Sequence, residues 1–420
     1  MILIYLITLL IAPQLWIEPF VGVRVDLIVY PLWILVAASK GKLKYFFDFQ
    51  TMDYFIVMYI VWIGFSIITN ETHELTGKIV TDYIKWFILY RLVVITLVDI
   101  EGVRKAAFLL VFLIFIIVIE GIMHKLSPDG LGWAGQTLGW VDPAVLRDGG
   151  TGRTRWINIF DGPGVFCVMY TLGLPFVIRF FDKHYTFTTK LFAGIITALF
   201  LLAIWYTGSR GGFLATLGVI GGYLLFRNAA KLNLSIGKMA VVGVLLVGVF
   251  MAAPSHLTQV KDEKNSAQHR VDMWLKGLQM VRENPLFGIG RGNYGHYTRS
   301  LIAHNSAIEN MGELGLPGLF FWIGIFYIAF RNLFAFTKTA TEPIHSSLSN
   351  AVILCLVGYL ISSMFVTLEY ETMFFIFAMA AVIGKSIPEK LEFTSKDYFI
   401  IGGTTIGWYM IVRVFTAVYY

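Results

Sequence analysis

The chain has 420 residues, of which 57% are hydrophobic and 14% charged. Soluble domains carry roughly 25% charged residues, so this composition excludes an ordinary soluble enzyme and indicates a membrane protein. The net charge of +6 would suggest a nucleic-acid partner in a soluble chain, but here the basic residues sort by loop, as a membrane topology requires, and no nucleic-acid partner is expected.

A hydrocarbon core ~30 Å thick needs ~20 apolar residues per helix, and about thirteen such windows run from end to end. They centre near residues 8, 31, 61, 88, 115, 172, 199, 219, 246, 325, 357, 379 and 408. The runs are continuous, unlike the alternating strands of a barrel wall. The expectation is therefore an all-α, polytopic helical bundle of about 12–13 spans, forming a single membrane domain over 1–420. Met1 to Ala12 lacks a basic n-region and a small-residue cleavage site, so it is read as a span and not as a removable signal.

Basic residues fall in every second loop: Lys40, Lys42 and Lys44; Arg104 and Lys105; Arg179, Lys183 and Lys190; Arg227, Lys231 and Lys238; Arg331 and Lys338; Lys385, Lys390 and Lys396. The positive-inside rule makes these loops cytoplasmic, with the N-terminus inside and the C-terminus outside. Asp82 and Lys85 are spaced to pair along one helix, and Arg91 is read as snorkelling towards the inner face.

Two outer gaps are long, 124–162 and 254–315, and function is sought there. The first carries Arg147, Arg153 and Arg155; the second carries Lys261, Lys264, Arg270, Lys276, Arg282, Arg291 and Arg299. Basic residues held on an outer face fit an anionic ligand. Arg210 opens the next span on that face in the sequence GSRGG, beside backbone N–H groups at the positive end of a helix dipole, with Ser209 and Gly211 supporting it. Gly218 and Gly222 form a small-xxx-small pair, read as close helix packing.

In the second gap Val271, Trp274, Leu275, Leu278 and Val281 recur at helical spacing opposite Asp272, Lys276, Gln279 and Glu283, which predicts an amphipathic helix ended by Asn284 and Pro285. Arg270 sits one turn before Trp274 on the flank of its apolar face. The following LFGIGRGNYG comes after a surface helix and not a buried strand, so it is not a dinucleotide loop; it reads as a tight turn with exposed N–H groups around Arg291. Then His304 precedes a short helix with Asn305, Glu309 and Glu313 on one face, before Gly315 and Pro317 lead into a span. An imidazole there has the pKa to take a proton from a hydroxyl, with Glu309 to orient it.

Glu369 and Glu371 are read as an exposed turn in preference to a cavity-facing pair. Cys167 and Cys355 each fall in a span and read as small buried hydrophobes. No Asp-x-Asp pair, P-loop, HExxH or TVGYG occurs, which argues against nucleotide-driven and zinc-driven chemistry and a potassium-type filter.

Thr207 to Gly211 (TGSRG), Arg270 with Trp274 (RxxxW), Asn284 to Asn293 (NPLFGIGRGN), and His304-Asn305 followed by Glu313 to Gly318 (ELGLPG) resemble the O-antigen ligase and polymerase superfamily. GRTRWINIFDGPG, residues 152 to 164, is a looser match, since it lacks an asparagine after the proline. The resemblance implies a bacterial inner-membrane glycosyltransferase of the GT-C type, with its active site facing the periplasm. Its donor would be an undecaprenyl diphosphate-linked glycan and its acceptor a hydroxyl of glycan, lipid A-core or protein, with no metal and no other cofactor. On that resemblance Arg210 and Arg270 hold the diphosphate, with Arg291 at a more variable position, and His304 is the catalytic base. Ligases and polymerases of O-antigen or exopolysaccharide share these motifs; the ligase reading is preferred. A transporter or flippase for a lipid-linked sugar is the alternative of another class, but the sequence shows no internal repeat of the kind such a pathway needs.

Overall fold

A computed structural model describes residues 1–70, 76–139, 152–227, 263–299, 301–388 and 391–419. The span centred near 246, together with Arg147, Lys231, Lys238, Lys261 and Lys390, lies outside the described residues. Fourteen α-helices and no named strand are found among them: α1 (Ile2–Leu6), α2 (Val25–Ser39), α3 (Thr51–Ile68), α4 (Thr76–Leu97), α5 (Ile100–Leu126), α6 (Pro163–Ile178), α7 (Phe187–Thr207), α8 (Arg210–Arg227), α9 (Glu263–Glu283), α10 (Tyr294–Tyr297), α11 (Ser306–Thr339), α12 (Pro343–Ser363), α13 (Glu371–Lys385) and α14 (Ser395–Tyr419).

Each of the other twelve expected span centres falls in one of these helices or in the π-turn that continues α1. Among the described residues, seven segments are long and apolar enough to cross a bilayer by themselves, on α3, α5, α6, α7, α11, α12 and α14. The chain is a multi-pass helical membrane protein. The remaining helices miss that standard for local reasons. The α2 helix has 15 residues with Pro31 inside, α13 also has 15, and α4 carries Lys78, Asp82, Lys85 and Arg91.

The chain divides into two compact units. The first comprises residues 1–36, 97–261 and 336–362. Its centre is α6, buried without interruption from Phe166 to Ile178 and packed by α5, α7 and α8. Lipid is as apolar as leucine, so helices in a bilayer gain from close packing at small residues more than from apolar burial. A Cβ on Gly173 would stand 2.9 Å from the Phe200 ring and 3.1 Å from Ile114, which places α5 and α7 tightly on α6. On α8 a Cβ at Gly218 would collide with Ile361, and one at Gly222 would lie 2.5 Å from Leu354, so the expected small-residue pair packs against α12. Cys167 and Cys355 are both buried with free thiols, as expected.

The second unit comprises residues 37–96, 262–335 and 363–420. Its most buried helix is α13, enclosed from Thr372 to Ile383. Arg91 does not snorkel. Its side chain is fully buried, with Nη1 2.6 Å from Asp53 Oδ1 and further N–H groups donating to the carbonyls of Tyr45, Phe46 and Asp48. A guanidinium has five donors in a fixed fork, and this loop of carbonyls before α3 satisfies them better than an interface reached by stretching. Asp82 and Lys85 do pair, at 3.6 Å on a part-exposed face.

The helix α9 is amphipathic as its spacing predicts. Val271, Met280 and Val281 are buried while Lys276, Gln279, Arg282 and Glu283 are exposed. It packs on α14, where the Trp274 ring meets Phe415 at 5.6 Å between centroids.

Candidate functional site

The TGSRG stretch forms the tight junction between α7 and α8. Gly208 ends α7 in the left-handed region, with φ 57°, a conformation that costs glycine nothing. Ser209 then caps α8, its hydroxyl accepting from the Gly212 N–H at 3.1 Å, while its own N–H donates to the Thr207 hydroxyl at 3.2 Å. Gly211 and Gly212 are buried, and a Cβ at Gly212 would collide with the Cys167 thiol. This geometry leaves Arg210 exposed on the first turn of α8, where the helix dipole adds to its charge.

A second arginine stands beside this junction. The carbon skeleton of Arg153 lies 3.4 Å from where a Gly208 Cβ would be, and its neighbour Thr154 donates its N–H to Tyr206 O at 3.1 Å. Burial, and then the charge of Arg210, hold the Arg153 pKa below its ordinary value. Among the described residues no hydrogen bond or ion pair engages its guanidinium, whereas Arg155 is paired with Asp161 at 2.7 Å. An anion would relieve the repulsion between Arg153 and Arg210. Sequence reasoning grouped Arg153 with the outer basic residues but gave it no role; the signal was its place in GRTRW, two residues before an arginine that does have a partner.

In the second unit, Arg270 on α9 and His304 before α11 lie close enough to interact electrostatically. His304 takes a left-handed backbone, φ 50°, and is exposed at its edge. Desolvation by its surroundings, and then the Arg270 charge, push its pKa below the ordinary histidine value, so the imidazole is neutral and basic near pH 7. The peptide flanking His304 is pinned: Trp274 Nε1 donates to Ala303 O at 3.2 Å, and the Ala303 N–H donates to Glu309 Oε1 at 3.1 Å. Glu309 also accepts from the Thr367 hydroxyl. No hydrogen bond joins Glu309 to the His304 ring among the described residues, so Glu309 fixes the backbone that carries the imidazole and does not orient the ring itself. Asn305 caps α11, accepting from the Ile308 N–H at 3.1 Å.

The glycine loop folds onto α11. Gly288, Gly290 and Gly292 all have positive φ, and the N–H groups of Ile289 and Gly290 donate to the carbonyls of Gly312 and Glu313 at 3.1 and 3.0 Å. The N–H groups expected to stand open at 289 and 290 are therefore used. A Cβ at Gly288 would collide with the Glu313 peptide. Gly288→Ala is expected to cost about 2 to 4 kcal/mol, adding backbone strain to overpacking, seen as a lower unfolding midpoint of the detergent-solubilised protein. The short helix then breaks at Gly315, φ 69°, before Pro317, as ELGLPG predicts.

Arg291 is not an open cation. It is 8% exposed, with Nη1 3.1 Å from Glu313 Oε2 and Nη2 donating to Glu369. Burial opposes its charge, but Glu369, Tyr83 and Glu313 more than offset that and raise its pKa well above the ordinary value. Glu369 is buried, which overturns the exposed-turn reading: it also accepts from Asn310 Nδ2 and the Tyr83 hydroxyl, with the Tyr59 hydroxyl at 3.1 Å. Four segments distant in sequence thus close on one carboxylate. A cavity of about 480 Å³ opens over Arg291, Glu309, Glu313, Glu369, Asp82 and His296.

Residues 195–323, which contain Ser209 to Gly211, Arg270, Arg291 and His304 to Gly318, match the family model described as O-antigen ligase. This segment belongs to the O-antigen ligase superfamily. GRTRWINIFDGPG lies before the O-antigen ligase segment. An uncharacterized protein of Haemophilus influenzae is 26% identical over 211 residues, 43% of this chain and 50% of that protein, so the chain spans about half the length of the curated relative it matches.

Proposed function

We propose that the protein transfers a glycan from an undecaprenyl diphosphate-linked donor to an acceptor hydroxyl at the periplasmic face of the bacterial inner membrane, as an O-antigen ligase. The observation that carries this reading is that a single O-antigen ligase match, 195–323, contains Arg210, Arg270 and His304, the residues to which the chemistry assigns a direct part.

In this reading Arg210 and Arg270 take the diphosphate oxygens, with Arg153 adding positive charge beside Arg210. A departing diphosphate gathers negative charge, and guanidinium groups aimed at it stabilise it where a divalent ion otherwise would. His304, held neutral by desolvation and by Arg270, removes the proton of the acceptor hydroxyl as oxygen attacks the anomeric carbon. A single displacement opposite the leaving group inverts the anomeric centre. Arg291 organises Glu313 and Glu369, and Glu309 fixes the peptide before His304.

The test is consumption of lipid-linked glycan by purified protein in vesicles without an energy source. Arg210→Ala and Arg270→Ala are each expected to lower kcat/KM by about 10²-fold or more, and Arg210→Lys to recover only part, since lysine keeps the charge but loses the fork. Wild-type protein that leaves the donor intact under these conditions, or an Arg210→Ala variant with full turnover, overturns the proposal. Identifying the product on a deletion background as lipopolysaccharide, free polymer or glycoprotein separates a ligase from a polymerase and from a protein glycosylating enzyme.

A further inference from the structure

At the opposite end of the first unit from Arg210, three of the helix ends that the basic loops mark as cytoplasmic surround a cavity of about 280 Å³: the end of α6, the end of α8 and the start of α12. Arg179 lines it and is only 7% exposed. Its Nε and Nη1 have no hydrogen-bond partner among the described residues. The carboxylate nearest to hand, Asp182, is already engaged, accepting from the Tyr223 hydroxyl at 3.0 Å and the Ser347 hydroxyl at 2.5 Å. Lys183 and Arg227 add two further positive charges at the rim. A guanidinium does not escape burial by losing its proton, and Asp182 acts on this one only through its field, without a hydrogen bond, so the open N–H groups of Arg179 call for an anion from outside the chain.

Arg179 also borders a second cavity of about 360 Å³, lined by Phe108, Phe112, Phe115, Phe176, Phe180 and Phe192 among other apolar groups. The guanidinium carbon lies 4.7 Å from the Phe180 ring centroid, at the junction of the two. A basic cavity and an aromatic one that meet at a single arginine match a molecule with a phosphate at one end and a hydrocarbon chain at the other.

We propose that these cavities bind an anionic phospholipid of the cytoplasmic leaflet, its phosphate on Arg179 and Lys183 and an acyl chain along the phenylalanine-lined cavity. The site is separate from the residues assigned to glycan transfer and does not depend on that assignment.

The experiment is native mass spectrometry of the full chain released from nanodiscs of equal phosphatidylglycerol and phosphatidylcholine, with thermal unfolding in detergent alongside. The wild type is expected to retain phosphatidylglycerol selectively, and Arg179→Gln to lower that retention by about tenfold, the loss of one charge-assisted contact. Lys183→Gln, an exposed change that leaves the fold alone, is expected to lower it less but measurably, and serves as the test if the Arg179 variant does not fold. Equal retention of both lipids, or unchanged selectivity in the variant that folds, overturns the proposal. So does stabilisation by inorganic phosphate that matches stabilisation by the lipid, since free phosphate would then be the ligand.

Discussion

His304→Ala is expected to lower glycan transfer by about 10²- to 10⁴-fold, the range of a lost general base, while leaving the unfolding midpoint unchanged. The two halves of this result have separate causes. The ring is exposed and makes no hydrogen bond to the described residues, so its removal takes nothing from the packing. The left-handed backbone at 304 is held by neighbours, through Ala303 to Glu309 and to Trp274. The pH profile adds a second readout. Partial desolvation and Arg270 lower the imidazole pKa, so the neutral base persists below the ordinary histidine range, and the acid limb of kcat/KM falls only as pH drops through the depressed value. Removing Arg270 takes away one of the two causes. The residual activity of Arg270→Ala is therefore expected to show an acid limb at higher pH than the wild type. An acid limb that stays in place, or a His304→Ala enzyme with normal turnover, would show that some other group accepts the proton.

What the sequence made legible follows the range of the interactions involved. The GSRGG junction depends on one left-handed glycine, one serine cap and one helix start within five residues, and all three stand where local chemistry puts them. The break at Gly315 and the two faces of α9 are local in the same sense, and so is the small-residue contact of Gly218 and Gly222 on the α8 side. Arg91 and Glu369 were misread because their surroundings are assembled from afar. Arg91 finds its carboxylate on Asp53, 38 positions earlier, and Glu369 meets Tyr59, Tyr83, Arg291 and Asn310 from four separate segments. In each case the reading treated a charged residue near a helix end as free to reach water, which holds only when no buried partner waits. The open anion loop around Arg291 failed for a related reason. The tight turn was foreseen, but the carbonyls of α11 that would take up the N–H groups at 289 and 290 were not visible in the loop's own residues.

Removing the Arg291 side chain by Arg291→Ala is expected to destabilise the protein by about 3 to 5 kcal/mol, the cost of leaving buried carboxylates without their cation. Glu313 and Glu369 are 4% and 6% exposed and share this one guanidinium. Glu369→Gln is expected to cost far less, because Arg291 keeps Glu313 and the amide oxygen still accepts from the tyrosine hydroxyls. Thermal unfolding of the two variants in detergent gives the order. The same pair separates two roles for Arg291. A residue that organises the cluster loses stability on substitution, and transfer falls in step with the folded fraction. A residue that grips the diphosphate would raise KM for the donor at an unchanged unfolding midpoint. The ion pairs to Glu313 and Glu369 favour the first outcome: a guanidinium held by two carboxylates has little positive field left for a phosphate, whereas Arg153 and Arg210, side by side in the first unit, repel each other and gain from an anion.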